Sequence, residues 1–228
     1  MNFCETAYLS VTRHIAAAEH ARGSAEPVTL LAVSKTQPAD AVRALAALGQ
    51  RAFGENYVQE ALAKQEELRD LGLEWHLIGP LQSNKCREVA EHFDWLQTVD
   101  RAKLVGLLGR HRPPGRAPLN VLIQVNIDDE QSKSGCAPAA VASLAALIVA
   151  VPSLRLRGLM AIPAPAPEPA RRRDAFTRMR ALFDQLRTAL PGVDTLSMGM
   201  SDDYELAIAA GATMVRAGTA LFGARRQA

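Results

Sequence analysis

The sequence predicts an α/β fold, a single (β/α)8 barrel with an extra N-terminal helix, and three observations point to it. Short β-branched runs that end in Gly, Ser, Asn or Pro alternate with Ala/Leu/Arg-rich stretches of helical spacing. There are eight such runs, the strand number of a closed parallel barrel, whereas an open doubly wound sheet normally carries fewer. The 228 residues lie near the lower end of the barrel range, and no G-x-G-x-x-G follows the first strand.

Each element has its own signal. A leading helix is expected over Phe3–Arg22, and the first strand over Val28–Val33, closed by Ser34-Lys35. Pro38 suits a first helical turn and opens a helix to Leu48. A short strand Arg51–Gly54 and a helix Val58–Leu71 come next. The remaining strands are Trp75–Ile78, Trp95–Val99, Asn120–Asn126, Arg157–Ile162, Thr195–Met198 and Met214–Arg216. The helices that separate them are clearest at Pro138–Val149, Ala170–Leu190 and Asp202–Ala210. Gln82–Lys85 opens a further helix, with Ser83 and Asn84 as capping residues. The proline run from Pro163 to Pro169 is stiff and extended, and reads as a surface loop on the strand-end face. No domain boundary is visible, so residues 1–228 read as one domain.

Composition excludes several classes. The 26 basic and 24 acidic residues leave a formal charge of +2, too little to steer the chain to nucleic acid or to an anionic membrane. Cys4, Cys86 and Cys136 are odd in number and include no C-x-x-C pair, which argues against a disulfide scaffold or a zinc site. The N-terminus lacks a basic region leading into an apolar stretch, and the Ala137–Val151 run is too short to span a bilayer. A soluble, cytoplasmic protein is the expectation, and a monomer.

In a parallel barrel, chemistry collects where strands end. Lys35 ends the first strand after a run of apolar residues broken only by Thr29. Pointing inward, it would be partly desolvated, which favours the neutral amine that attacks an aldehyde. Pointing outward, it would be an ordinary solvated lysine. Two glycine-containing loops near the far end of the chain bear on the choice. Ser197-Met198-Gly199-Met200-Ser201-Asp202-Asp203 joins a strand to a helix, where backbone amides and the Ser201 hydroxyl can bind an anion. Asp202 and Glu205 also fit a capping box, the plainer reading of the same residues. Val215-Arg216-Ala217-Gly218-Thr219 sets a cation, a glycine and a hydroxyl at the end of the last strand. Barrels often hold phosphate in the loops after the last two strands, and the first strand closes beside the eighth. A lysine and an anion cradle on one rim suit a ligand that carries an aldehyde and a phosphate, as pyridoxal 5′-phosphate (PLP) does.

The segments Ala32-Val33-Ser34-Lys35-Thr36, Phe53-Gly54-Glu55-Asn56-Tyr57, Trp75 to Lys85, Gly158-Leu159-Met160-Ala161-Ile162-Pro163, Ser197 to Asp203 and Val215 to Thr219 occur in this order. Together they resemble the pyridoxal phosphate homeostasis protein family, single-domain proteins similar to the barrel domain of alanine racemase (fold type III of the PLP proteins). The resemblance covers residues 30 to 225 or so. It implies a barrel carrying PLP as an imine on Lys35, with Ser201, Gly218 and Thr219 on the phosphate, Arg216 facing the pyridine nitrogen and Asn56 beside the cofactor. A permanent cation at that nitrogen disfavours the pyridinium form, which leaves the ring a poor electron sink and suits a carrier. Relatives commonly read Ser-Lys-Thr-Lys-Pro where this chain has Ser34-Lys35-Thr36-Gln37-Pro38, so a second amine is absent at position 37. The implied role is PLP homeostasis, holding the aldehyde masked and supplying it to PLP-dependent apo-enzymes, without substantial catalysis.

Other residues have plainer readings. His76 is expected to be a hydrogen-bonded structural histidine, Met160 core filling, and Arg171-Arg172-Arg173 a solvated helix start. Lys85 is a weaker candidate for a second PLP-reactive amine. The alternative function is an amino-acid racemase, which needs an acid/base on each face of the substrate. The racemase it resembles takes one from a tyrosine in a further C-terminal domain, and none of Tyr8, Tyr57 and Tyr204 obviously substitutes. A Schiff-base aldolase or a phosphosugar-binding barrel shares the lysine and the phosphate loops, but usually needs another acid/base near the lysine.

Overall fold

Strands β1 (Thr29–Val33), β2 (Ala52–Glu55), β3 (Glu74–Leu77), β4 (Trp95–Val99), β5 (Leu119–Val125), β6 (Leu154–Ala161), β7 (Thr195–Ser197) and β8 (Met214–Ala217) pair in sequence order as a closed parallel barrel. The ring closes where β1 runs beside β8, with Leu31 opposite Arg216 and Ala32 opposite Ala217. The computed structural model describes residues 3–23, 26–130, 134–164 and 168–223. Around the sheet lie α1 (Phe3–Arg22), α2 (Ala39–Ala47), α3 (Val58–Glu67), α4 (Cys86–His92), α5 (Ala102–His111), α6 (Val141–Val149), α7 (Pro169–Ala189), α8 (Tyr204–Ala209) and α9 (Thr219–Phe222).

Burial follows from alternation along the strands. Phe53, Trp75, Leu77, Leu96, Val121 and Leu159 point outward and meet the apolar stripes of the helices, such as Val42 and Leu45 of α2 and Leu104 and Leu108 of α5. Residues pointing inward form two small apolar clusters: Leu31, Ala52 and Met214 with Ile78, and Trp95, Leu122 and Met160 with Ile162. Buried polar side chains, His76, Gln97, Ser197 and Arg216 among them, occupy the rest of the interior. The added helix α1 lies outside this ring and buries Val11 and Ile15.

The structure moves some expected boundaries. The sixth strand starts at Leu154 rather than Arg157, and Pro38 stands at the cap of α2, one residue before its first turn. The Asp202–Glu205 capping box does not form, because α8 begins at Tyr204. Instead the Asp203 carboxylate accepts from the Met200 amide at 2.7 Å and ties down the loop before the helix. Ser83 and Asn84 likewise do not cap: they sit within a 3-10 turn, Ser83–Lys85, that leads into α4 without a side-chain cap. The proline run follows β6 on the strand-end face, its centre, residues 165–167, lying outside the described residues. Among the described residues no helix is long and apolar enough to cross a membrane.

Candidate functional site

The turn carrying Lys35 is held tightly. The Ser34 amide extends the β1–β2 ladder to Gly54 O at 3.0 Å, and the Gln37 amide returns to Ser34 O at 3.0 Å. Between them Thr36 has φ +65, a left-handed conformation that opposes a β-branched residue. A buried ion network behind the turn holds it there. Glu55, at the end of β2, is fully buried; its Oε1 accepts from Ser34 Oγ at 2.7 Å and from Lys64 Nζ at 2.8 Å. Lys64 on α3 also donates to Ser34 O at 2.7 Å and Glu60 Oε1 at 2.7 Å, which satisfies all three ammonium hydrogens. Glu60 Oε1 in turn accepts from the Thr36 amide at 2.5 Å. Burial pushes the Glu55 carboxyl above its ordinary value, and the bonds from Lys64 and Ser34 oppose that rise.

The two loops read from the sequence as an anion cradle come together at the other side of β1. Ser201 Oγ accepts from the amides of Gly218 at 3.2 Å and Ala220 at 3.4 Å, so its hydroxyl proton points away from both. The Arg216 amide donates to Gly199 O at 3.1 Å, which locks the β7 loop to β8. Gly218 passes so near β1 that a Cβ there would stand 3.3 Å from Val33 O, two residues before Lys35. A side chain at this position would press on the lysine turn. Thr219 is exposed at the start of α9, and a cavity lined by Arg172, Ser201, Asp202 and Asp203 opens beside the cradle.

Arg216 is buried at 3% exposure inside the barrel end. Its two terminal nitrogens donate to Ser197 Oγ at 2.7 Å and Ala161 O at 2.8 Å, both neutral acceptors. Burial pushes its pKa down to about 10, which still leaves it a cation at neutral pH. Asn56 follows β2 and sits half-buried, its backbone carbonyl so near Gly79 that a Cβ on Gly79 would lie 2.1 Å from it. Lys35, Ser201, Arg216, Gly218 and Thr219 thus belong to the adjoining ends of β1, β7 and β8, with Asn56 at the end of β2, the strand on the other side of β1.

Among the other residues read from sequence, His76 is fully buried and hydrogen-bonded, Met160 is core, and Lys85 Nζ pairs with Glu88 at 3.0 Å. Arg171 and Arg173 are exposed while Arg172 turns partly inward. Sequence reasoning missed Lys64 and Glu60. Their i,i+4 spacing with the acid first was a readable signal on a helix surface, but Glu55 joins them only through the fold. Gln97 was also missed, and a lone glutamine in a strand gives no local signal.

The residues fit PLP. Amides and a hydroxyl at the cradle suit its phosphate, a lysine one strand away suits its aldehyde, and a buried guanidinium suits an unprotonated ring nitrogen. Comparison with known proteins agrees. Residues 13–226 match the family described as alanine racemase, N-terminal domain, which defines the class of barrel. The chain belongs to the pyridoxal phosphate homeostasis protein family within that class. It is 58% identical to the pyridoxal phosphate homeostasis protein of Pseudomonas aeruginosa over 209 residues, 92% of this chain and 90% of the relative. It is 57% identical to the Escherichia coli K12 protein of the same name, over 92% of this chain and 91% of that one. The structure of PipY from Synechococcus elongatus with PLP bound superposes with a TM-score of 0.79 at 40% identity, covering 92% of this chain and all (100%) of PipY. Alanine racemase from Corynebacterium glutamicum shares the fold, with a TM-score of 0.64 at 22% identity over 94% of this chain and 62% of the racemase.

Proposed function

We propose that this chain, as a single barrel domain, binds PLP through Lys35 and serves PLP homeostasis rather than racemisation. The observation that carries the reading is the closure of the barrel. It sets the Lys35 turn against the loop where Ser201 Oγ receives the Gly218 and Ala220 amides. When bound, PLP supplies an aldehyde that condenses with an amine and a phosphate that anchors it. Ser201, Gly218 and Thr219 hold the phosphate. Asn56 would flank the ring, and Arg216, a cation at neutral pH, would face the ring nitrogen, where it would oppose protonation and leave the ring a weak electron sink. This is the chemistry of a carrier. Homology supports it, since the relatives at 57–58% identity are named for homeostasis. On this reading the protein is a cytoplasmic monomer that passes PLP to PLP-dependent apo-enzymes.

The test is the absorption spectrum of the purified protein with PLP, before and after borohydride, followed by peptide mass mapping. A visible band that borohydride bleaches and an adduct on Lys35, both lost in Lys35→Ala, are expected. An adduct on another lysine overturns the Lys35 assignment, and no band at all overturns the cofactor. Fast exchange of a substrate α-proton in deuterated buffer, well above the rate with free PLP, overturns the non-catalytic role.

A further inference from the structure

A chain of hydrogen bonds crosses the barrel interior from Arg216 to the opposite rim, and every donor in it points the same way. Arg216 donates to Ser197 Oγ at 2.7 Å, and Ser197 donates its hydroxyl hydrogen to Gln97 Oε1 at 2.7 Å. Gln97 Nε2 lies 3.0 Å from His76 Nδ1. An amide nitrogen can only donate, so His76 accepts there and carries its hydrogen on Nε2. That Nε2 lies 2.8 Å from a carboxylate oxygen of Glu74, the first residue of β3. A buried cation thus faces, through a file of aligned dipoles, a half-exposed anion at the other end of the barrel.

The surroundings hold each link in place. His76 is fully buried and stacks on Trp95 at 5.0 Å with 9° between planes, while Arg157 covers Trp95 at 4.7 Å. Burial keeps the imidazole neutral, as a one-hydrogen link requires. Gln97 lies where the β4–β5 register shifts between Leu96 and Val99. The file also runs among the two interior apolar clusters, and Gln97 Nε2 has the weak thioether acceptor of Met214 at 3.1 Å as well. Among the described residues Arg216 has no carboxylate ion-pair partner, so its plane is set by Ser197 and the Ala161 carbonyl.

We propose that Gln97 and His76 are positioning residues for Arg216: with Ser197 they transmit the anchor at Glu74 through the barrel and fix the guanidinium where it meets the bound cofactor. The inference rests on the reading that Arg216 faces the PLP ring. Replacing Gln97 by leucine cuts the file in the middle, and Glu74→Gln removes only its charged end, at the rim away from the site.

Nitrogen-15 NMR of the PLP-free protein reads the file directly. The expected His76 is neutral with its hydrogen on Nε2, and Glu74→Gln and Gln97→Leu shift its ring nitrogens. In the PLP-loaded protein both variants are expected to move the absorption maximum or its pH titration, and Gln97→Leu to raise the dissociation constant about tenfold, as for one lost charged-group hydrogen bond. A His76 with its hydrogen on Nδ1, or a loaded spectrum unchanged in both variants, overturns the proposal. If Gln97→Leu does not fold, Glu74→Gln alone decides. If wild-type protein takes up no PLP, the cofactor reading falls, and the NMR result still judges the file by itself.

Discussion

Lys64→Met is the sharpest test of how the lysine turn is built. The substitution keeps the apolar stem and removes an ammonium that makes three bonds, to Ser34 O, Glu55 Oε1 and Glu60 Oε1 at 2.7–2.8 Å. Glu55, wholly buried, loses its cation, and removing one member of such a pair costs about 3–5 kcal/mol. Part of that cost depends on pH. Rather than remain charged, Glu55 takes up a proton. From its ordinary value of 4.5 that costs about 3 kcal/mol at pH 7, and less here, because burial has already raised the carboxyl. A carboxyl raised in the folded state weakens folding above its unfolded value, and the penalty disappears as pH falls. The variant raises Glu55 further than wild type does. Its excess destabilisation therefore shrinks between pH 7 and pH 5, at a limiting slope of about 1.4 kcal/mol per pH unit. Urea unfolding at several pH values, followed by tryptophan fluorescence, measures it. A loss that stays flat from pH 7 to 5 refutes the charged pair. The double variant Glu55→Leu/Lys64→Met is expected to recover stability without recovering PLP loading, because in both variants the Ser34 carbonyl loses its ammonium donor and Glu60, which holds the Thr36 amide, loses its cation.

Other outcomes follow from single contacts. Ser201→Ala removes the acceptor of the Gly218 and Ala220 amides and, on the proposed function, a hydroxyl that would bond the phosphate. It is expected to raise the PLP dissociation constant about tenfold in a spectral titration, while the unfolding midpoint changes little. Gly79→Ala drives a Cβ to 2.1 Å from Asn56 O, a backbone atom that cannot turn aside. A loss of about 3 kcal/mol or more in urea unfolding is expected, and a neutral result refutes the close packing of the β2 and β3 ends. Thr36→Gly relieves the left-handed φ of +65 and is expected to stabilise the PLP-free protein by up to about 1 kcal/mol while slowing PLP uptake, as a freer turn holds Lys35 less well.

The strands and the rim residues were legible because their signals are local. Val28–Val33 is β-branched or apolar at nearly every position, Asn120–Asn126 keeps one face apolar through Val121, Ile123 and Val125, and Gly218 stands beside a hydroxyl and a cation within five residues. Helix starts were less legible. Asp202 and Asp203 are equivalent as caps in sequence, and only the turn at Gly199, with Asp203 bonded back to Met200, decides that α8 starts after the second. Position 37 shows the limit from the other side. The glutamine there takes away an amine two residues from Lys35, yet the fold brings Lys64 onto the carbonyl of Ser34 from a helix thirty positions along the chain. That amine is bound to two carboxylates, so it serves as a charge that holds the turn and not as a second nucleophile.

The same reasoning explains why the interior of the barrel was not read. Along β3 and β4 the inward positions Glu74, His76, Trp95 and Gln97 look like breaks in an apolar pattern, and taken singly each has a structural explanation. Their meaning lies in direction. An amide at position 97 must offer oxygen to one neighbour and hydrogen to the other, and Ser197 and His76 are a donor and an acceptor placed to match. Glutamate at position 97 keeps the shape but faces His76 Nδ1 with an acceptor, so the imidazole must gain a second hydrogen or turn its lone pair on Glu74. Two residues of nearly the same volume thus differ in what they permit Arg216 to do. The two ends of the site are thereby held by separate means: an ion network outside the sheet fixes the lysine turn, and a file of neutral dipoles inside it fixes the guanidinium. Only the guanidinium's setting depends on which way a proton points.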